Sequence, residues 1–184
     1  MSDSTNSAPF PHYVDTRKVF SQKGIFGGEL SKDKLPRLAL MLADGNFKAE
    51  AKLVFSNDDR GRRLIEGWVR AQVSVACQRC LMPLELSIAD DIRLALVSDE
   101  DKASKLDDDV EPWIEPEFKL DPVQIVEEQL LLSMPLAAYH EIEICGASQT
   151  QFDAPEASKA AAQDKSEPNA FAILKELKMS GSSD

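Results

Sequence analysis

The chemistry that this sequence could support is concentrated in three thiols and one imidazole. Cys77 and Cys80 are separated by two residues, and Cys145 follows His140 with four residues between them. Two thiols at the first spacing, held in a tight turn, can share a metal ion or form a disulfide. Three sulfurs and one nitrogen are also a common tetrahedral donor set for structural zinc. The sequence therefore predicts a candidate zinc site at Cys77, Cys80, His140 and Cys145.

A second interpretation of these four residues needs no metal. In it, Cys77 and Cys80 are reduced thiols of a turn and a core, His140 is a surface residue, and Cys145 has no role in a site. Both interpretations remain open at this stage, because one half of the donor set lies far along the chain from the other and contains no second pair of cysteines.

Catalysis by these thiols is not expected. A thioredoxin-like pair places its first thiol at a helix N-terminus, whereas Pro83 and an alternating strand pattern follow Cys80. A cysteine nucleophile needs a nearby base, and His12 and His140 are the two histidines of the chain. We expect a protein that is not an enzyme and has no small-molecule substrate. The alternative from a different class is a thiol-based metal-binding or redox protein.

Arginines recur around the predicted hairpins and could contact phosphates. Trp68 shares the polar side of its predicted strand with one of them and could stack on an unpaired base. The candidate RNA-binding residues are Arg60, Arg62, Arg63, Arg70, Arg79, Arg93 and Trp68. The alternative is an ordinary solvated face, in which Trp68 is covered by a helix or by an acidic segment.

Three predicted strands position these residues. Apolar residues alternate with polar ones in residues 47–55, 65–75 and 82–96, as expected for strands with one buried face. A turn-forming segment rich in Asp separates the first two runs, and the paired cysteines separate the last two. Asp90 interrupts the alternation of the third run, which predicts a bend or bulge. The expected fold is α+β, an antiparallel β-meander or partly closed barrel with packed helices.

The other segments are arranged around this one domain. Asp121, Pro122 and Gln124 form a good helix start, and Pro135 ends the helical pattern. The predicted divisions are a disordered N-terminus at residues 1–11, a single domain at 12–146 with a flexible acidic loop at 99–112, a linker at 147–168 and a short amphipathic helix at 169–179.

The net charge of −11 is unevenly distributed. Residues 1–98 hold 14 Lys and Arg against 12 Asp and Glu, whereas residues 99–128 hold 3 against 12. Nonspecific binding to nucleic acid is opposed by this balance, since such binding draws on counterion release by clustered Lys and Arg. A local basic face could still contact RNA. The acidic loop could instead dock a basic partner, or could only make the surface more soluble.

The sequence also bears on the compartment. No apolar run approaches the roughly 20 residues that span a bilayer, and the first residues lack the apolar stretch of a signal peptide. We therefore expect a cytoplasmic protein without a membrane partner. Three cysteines in that compartment favour thiols or metal ligands over a disulfide framework.

Several segments, taken in order, form a combined pattern. They are the strand and cysteine turn at residues 73–83, the acidic stretch at 107–116, the helix and proline at 121–135, the run 135–140 with Cys145, and residues 168–174. The combination resembles the YceD proteins, also called large ribosomal RNA subunit accumulation proteins. The resemblance implies a factor that supports synthesis, processing or stability of large-subunit (23S) ribosomal RNA. It implies ribosomal RNA, a basic large-subunit ribosomal protein or an assembly factor as the direct partner.

Overall fold

The computed structural model describes residues 7–141 and Cys145. These residues belong to the first of two compact units of the chain, Met1–Gly146, and the second unit spans Ala147–Asp184. The predicted linker at 147–168 and the predicted helix at 169–179 lie outside the described residues. In the described part, no helix is long and apolar enough to cross a membrane.

Strands make up most of the regular structure in the described residues. The elements follow in the order β1 (Val14–Asp15), α1 (Thr16–Val19), β2 (Ile25–Leu30), α2 (Pro36–Ala39), β3 (Phe47–Asn57), β4 (Arg63–Ala76), β5 (Pro83–Val97), α3 (Glu100–Ala103), β6 (Glu111–Ile114), β7 (Lys119–Leu120) and α4 (Pro122–Leu132). A 3-10 turn at Lys32–Lys34 precedes α2. The three longest strands, β3, β4 and β5, are consecutive.

The main sheet is built around these three strands. Its strand order is β2-β3-β4-β5-β6, and neighbours are antiparallel except β5 and β6, which run parallel. β1 and β7 form a separate antiparallel pair. The predicted meander is therefore present within a mixed sheet rather than a purely antiparallel one. The barrel alternative is not seen, because the edge strands β2 and β6 do not pair with each other in the described residues.

Side-chain alternation on the central strands produces the core. Leu53 and Phe55 of β3 are fully buried, as are Ile65, Val69 and Val73 of β4. They share one face because successive side chains of a strand point to opposite faces. Burying each of these side chains contributes roughly 1.5–3 kcal/mol, so this face of the sheet fixes the pairing register.

Helix α4 packs against β4 and β5. It begins at Asp121, whose side chain accepts hydrogen bonds from the backbone N–H groups of Val123 and Gln124. These N–H groups have no acceptor within the helix, so the cap stabilises its first turn. The fully buried apolar side chains of the helix are Ile125, Val126 and Leu130.

Asp90 breaks the apolar alternation of β5, but the strand is not bulged there. Residues 67–69 of β4 pair one for one with residues 90–92 of β5, so the bulge, one of the two predicted alternatives, is wrong. The Asp90 carboxylate instead accepts hydrogen bonds from the side chains of Ser133, at 2.7 Å, and Gln129, at 2.9 Å. These donors lower the pKa of Asp90. A charged residue at an apolar position thus fastens the region of α4 to the sheet.

Gly67 lies at a close approach of β3 and β4. It pairs with Leu53 on one side and Ile92 on the other. A Cβ atom at this position would overlap the backbone carbonyl oxygen of Lys52. Glycine is required here because the obstacle is backbone, which cannot rotate away as a flexible side chain would.

A buried carboxylate joins α4 to the short helix α2. Glu127 is 5% exposed and accepts hydrogen bonds from the backbone N–H groups of Arg37, at 2.7 Å, and Leu38, at 3.1 Å. These groups lie in the first turn of α2 and have no acceptor within the helix. Pro36 occupies the first helical position and has no N–H to satisfy. Glu127 therefore caps a helix that lies far from it in the sequence.

Ala8, which the sequence assigns to a disordered N-terminus, lies beside the edge strand β2. Its backbone N–H donates to the carbonyl oxygen of Ile25 at 3.0 Å, and its own carbonyl accepts from the Gly27 N–H at 2.9 Å. These bonds form a parallel bridge with Phe26. One part of the β2 edge is covered in this way.

Candidate functional site

The turn between β4 and β5 brings two thiols to one side of the chain. The Cys77 N–H donates to the carbonyl oxygen of Met82, and the Leu81 N–H donates to the carbonyl oxygen of Cys77, both at 2.9 Å. Leu81 has a φ of +62°, a left-handed conformation that closes the turn. The turn thereby holds Cys77 and Cys80 close together.

Residues of this turn also position the segment that follows α4. The Gln78 N–H donates to the carbonyl oxygen of Ala138 at 2.9 Å. The Arg79 guanidinium donates to the carbonyl oxygen of His140 and lies 5.4 Å from the ring centroid of Tyr139. These contacts bring His140 beside the cysteine turn.

The four predicted donor residues lie together at this end of the sheet. The Sγ atoms of Cys77 and Cys145 are 4.0 Å apart, and the Cys80 Sγ is 3.4 Å from the His140 Nδ1. All four donor atoms lie within 4.8 Å of one another. A tetrahedral zinc ion with Zn–S distances near 2.3 Å separates its ligand sulfurs by about 3.8 Å. The arrangement could hold a metal ion with only small movements.

The orientation of the His140 ring suits a metal ligand. Its Nε2 lies 3.0 Å from the carbonyl oxygen of Pro83. A carbonyl oxygen can only accept, so this contact places the ring proton on Nε2. The unprotonated Nδ1 then faces the sulfurs. Histidine ligands commonly donate their other ring N–H to a carbonyl in this way.

The surrounding backbone favours the thiolate form of the cysteines. Burial raises the pKa of the Cys77 thiol, but N–H groups of Cys80, His140 and Arg79 outweigh it and lower that pKa to about 5. The backbone N–H of Met82 is the main cause that lowers the pKa of Cys80. Thiolates are the form of cysteine that binds metal ions. The sulfurs of Cys77 and Cys80 raise the pKa of His140. A metal ion would therefore compete with a proton for this imidazole.

A second set of charges lies at the opposite end of β5, beside the acidic loop at residues 99–112, which is called the acidic segment below. Arg60 pairs with Asp107, and Arg62 pairs with Asp58 at 2.6 Å and with Asp109 at 3.1 Å. Arg93 lies 3.5 Å from Asp109. Its members, Arg60, Arg62, Arg93, Asp58, Asp107 and Asp109, are called the arginine–aspartate cluster below. Three candidate RNA-binding arginines are therefore paired with carboxylates of their own chain.

Apolar contacts hold the acidic segment in the same place. Val110 is buried with Leu64 and Ala95, and Leu106 packs against them. The segment also contains α3, which is capped by Asp99. The loop predicted to be flexible at residues 99–112 is thus packed on the sheet. Its composition suggested mobility because its ionic partners lie on other strands and only the fold brings them together.

The other predicted RNA-binding residues lie elsewhere. The Arg63 guanidinium is 5.8 Å from the Phe20 ring centroid, and the Arg70 guanidinium is 4.7 Å from the ring of the half-buried Trp68. Arg79 lies at the cysteine turn. Arg63 and Arg79 therefore lie apart from the arginine–aspartate cluster, whereas Trp68 and Arg70 lie on the same face of the sheet as Arg93. The Arg70 guanidinium covers one side of the Trp68 ring.

Replacing Arg62 with glutamine tests the attachment of the acidic segment. We expect amide hydrogens of residues 104–111 to exchange roughly fivefold faster, because Arg62 links Asp109 of this segment to Asp58 and the glutamine cannot form these ion pairs. Arg37→Gln is the matched control, since Arg37 pairs with Glu128 of α4 and not with this segment. Equal exchange in both variants would mean that the apolar contacts alone hold the segment.

Acidification should open the same attachment only at low pH. Hydrogen bonds and charge from Arg62 lower the pKa values of Asp58 and Asp109. Stabilisation by these pairs is therefore complete at neutral pH and is lost as the pH falls through the lowered pKa values, below the ordinary carboxyl value of about 4. Exchange rates for residues 104–111, corrected for intrinsic pH effects, should stay constant between about pH 7 and 5.

Comparison with known families identifies the chain. Residues 65–178 match the family model described as Large ribosomal RNA subunit accumulation protein YceD. This match covers more than half of the chain. The chain belongs to the YceD family. The Large ribosomal RNA subunit accumulation protein YceD of Haemophilus influenzae is 29% identical over 170 residues, which cover 91% of this chain and 95% of the relative. No solved structure matches.

Membership of the YceD family gives the chain a ribosome-related role. The family description names an accumulation protein rather than an enzyme. Cys77, Cys80, His140 and Cys145, called the thiol cluster below, all fall inside the matched region. Arg60, Arg62 and Arg63 precede it. The matched region therefore contains the candidate metal site but only part of the arginine–aspartate cluster.

Proposed function

We propose that this chain is a non-enzymatic ribosome-biogenesis factor that supports synthesis, processing or stability of large-subunit (23S) ribosomal RNA in the cytoplasm. The observation that carries the proposal is the YceD family match over residues 65–178. No catalytic step is needed for such a role, because a factor can raise RNA levels by binding an assembly intermediate and shielding it from degradation.

Depletion of the protein tests this role directly. We expect the ratio of 23S to 16S ribosomal RNA to fall in depleted cells, because the factor acts on the large-subunit RNA. A plasmid copy of the parent sequence should restore the ratio. An unchanged ratio after full depletion would contradict the proposal.

The direct partner we infer is a basic polypeptide, such as a large-subunit ribosomal protein or an assembly factor. The acidic segment supports this inference, because its exposed carboxylates at Asp101, Asp108 and Glu111 form no ion pair within the described residues. Arg60, Arg62 and Arg93 are already neutralised by Asp and Glu side chains and would have to release them to bind phosphate. A surface of this charge attracts Lys-rich and Arg-rich segments and repels RNA.

Affinity purification of the full chain, with and without nuclease, distinguishes the two kinds of partner. Recovery of the partner should survive nuclease and should fall about tenfold in the triple variant D101N/D108N/E111Q, if those charges supply about 1.4 kcal/mol or more of the binding free energy. The control variant D33N/D44N/E50Q removes as many charges elsewhere and should bind normally. Loss of the complex on nuclease treatment would instead identify ribosomal RNA as the partner.

For the thiol cluster we propose bound zinc with a structural role. Four donors within 4.8 Å and a histidine ring oriented by Pro83 support this assignment. The donor set leaves no open position for catalysis, which is typical of structural sites. The ion would join the β4–β5 turn to the segment after α4, closing a long loop of the chain.

Metal analysis of the purified protein tests the zinc proposal. We expect about one zinc per chain, since one tetrahedral site uses all four donors. The His140→Ala variant should lose most of it, whereas His12→Ala, which changes the other histidine, should not. Chelation should accelerate hydrogen exchange in residues 136–141. Metal-free protein from zinc-replete cells would contradict the zinc proposal and would favour thiols that act without a metal ion.

A further inference from the structure

The three thiols of the cluster differ in their access to solvent. Cys77 is 0% exposed and Cys145 is 8% exposed, whereas Cys80 is only half-buried. Oxidation by peroxide requires a thiolate and contact between the oxidant and the sulfur. The thiolate form is favoured at both Cys77 and Cys80, so exposure distinguishes them. A small oxidant arriving from solvent therefore reaches Cys80 first.

Cys80 has a second thiol within its own turn. The bonds that close the turn between Cys77 and Met82 keep the sulfurs of Cys77 and Cys80 within 4.8 Å. Cys145 is also near, but it is attached through a far longer stretch of chain. A disulfide inside the turn closes the shorter loop and depends on no other segment staying in place. Cys77 is thus the best-placed thiol to react with an oxidised Cys80.

We propose that Cys80 is a peroxide-sensitive thiol whose oxidation forms a disulfide with Cys77 and expels the metal ion. Peroxide transfers one oxygen to the Cys80 sulfur as its O–O bond breaks, giving a sulfenic acid and one water. The Cys77 sulfur then attacks the Cys80 sulfur, the S–O bond breaks, and a second water leaves. Two thiols are oxidised and one peroxide is reduced.

The structural consequence is a loosened connection between two parts of the domain. The disulfide removes two of the four metal donors, so the ion leaves and no longer links His140 and Cys145 to the turn. The hydrogen bonds from Gln78 to Ala138 and from Arg79 to His140 remain. Loss of the metal therefore weakens the attachment of residues 136–141 without unfolding the sheet, which is held by β3, β4 and β5.

Hydrogen peroxide added to the purified full chain tests this inference. We expect two of the three thiols to disappear, peptide mapping to show a Cys77–Cys80 disulfide, and dithiothreitol to reverse the change. Zinc release, followed with a chromogenic chelator, should parallel thiol loss. The release arm depends on the zinc proposed above. Disulfide formation does not depend on zinc. Protein that contains no zinc would contradict the zinc proposal, but the Cys77–Cys80 disulfide could still be tested in it.

Two variants locate the reactive thiol. Cys145→Ser should still form the disulfide, because both reacting sulfurs remain. Cys80→Ser should lose thiols at least about tenfold more slowly, because its two remaining sulfurs are buried. If Cys80→Ser does not fold, trapping of the sulfenic acid with dimedone in Cys77→Ser shows which sulfur reacts first. A disulfide that contains Cys145, trapping at a residue other than Cys80, or three intact thiols after peroxide would each overturn the proposal.

Discussion

Replacing Gly67 with alanine is expected to lower the free energy of unfolding by about 3 kcal/mol, the upper part of the range for forced overpacking. The new Cβ would overlap the carbonyl oxygen of Lys52, so β3 must move away from β4 at the centre of their ladder. Urea unfolding measures the loss, and hydrogen exchange in residues 50–55 should locate it.

Gly27→Ala is the matched control for this change. Gly27 also lies in a strand of the same sheet, but the nearest atoms to its new Cβ, the Ala51 carbonyl oxygen and the Ser7 hydroxyl, would be 3.2 Å away, a tight contact rather than an overlap. We expect a stability within about 1 kcal/mol of the parent, since a Gly-to-Ala change without a severe clash also restricts the unfolded chain. Equal stabilities of the two variants would show that β3 and β4 have room to separate at Gly67.

The second large effect is expected at Glu127. Glu127→Ala removes a buried acceptor from two N–H groups of α2, and hydrogen bonds to a charged group contribute about 1.5–3 kcal/mol each. We expect the free energy of unfolding to fall by about 3 kcal/mol, because part of the loss is recovered when water reaches the first turn of α2. Chemical denaturation gives the total, and exchange at Arg37 and Leu38 gives the local effect.

Two further variants separate capping from other roles of this carboxylate. Glu127→Gln keeps a side-chain carbonyl that can accept the same bonds, so it should cost only about 1 kcal/mol. Glu128→Ala removes the neighbouring, more exposed ion pair with Arg37 and should cost at most about 1 kcal/mol. A Glu127→Gln variant as unstable as Glu127→Ala would mean that negative charge, not hydrogen bonding, is what α2 requires.

The central strands could be predicted because each one carries its own burial pattern. Ala51, Ala71 and Val73 alternate with polar neighbours, and this local signal is sufficient to assign faces and pairing order. The parallel pairing of β6 with β5 has no such signal. β6 is four residues long and contains Pro112, and its register depends on contacts of Val110 with Leu64 rather than on its own alternation.

The candidate sites differ in predictability for a similar reason. Cysteine and histidine have few alternative roles, so Cys77, Cys80, His140 and Cys145 could be proposed as one site from the sequence, beside an interpretation that needs no metal. Arginine is common on every surface, and its partner decides its role. Whether Arg62 faces a phosphate or an aspartate depends on where the acidic segment folds, and that information is absent from the local sequence. Glu127 was missed because a buried cap across 90 residues has no local pattern.

Asp90 has a consequence for aggregation. Between Pro83 and Arg93, no strand of the described residues pairs with the outer side of β5, which leaves unpaired N–H and C=O groups that could recruit another chain. A carboxylate that points toward the apolar face of such an open edge disfavours stacking of identical strands, because it would be buried without water. We therefore expect Asp90 to disfavour edge-to-edge association of this strand, and we expect Asp90→Val to increase aggregation during refolding.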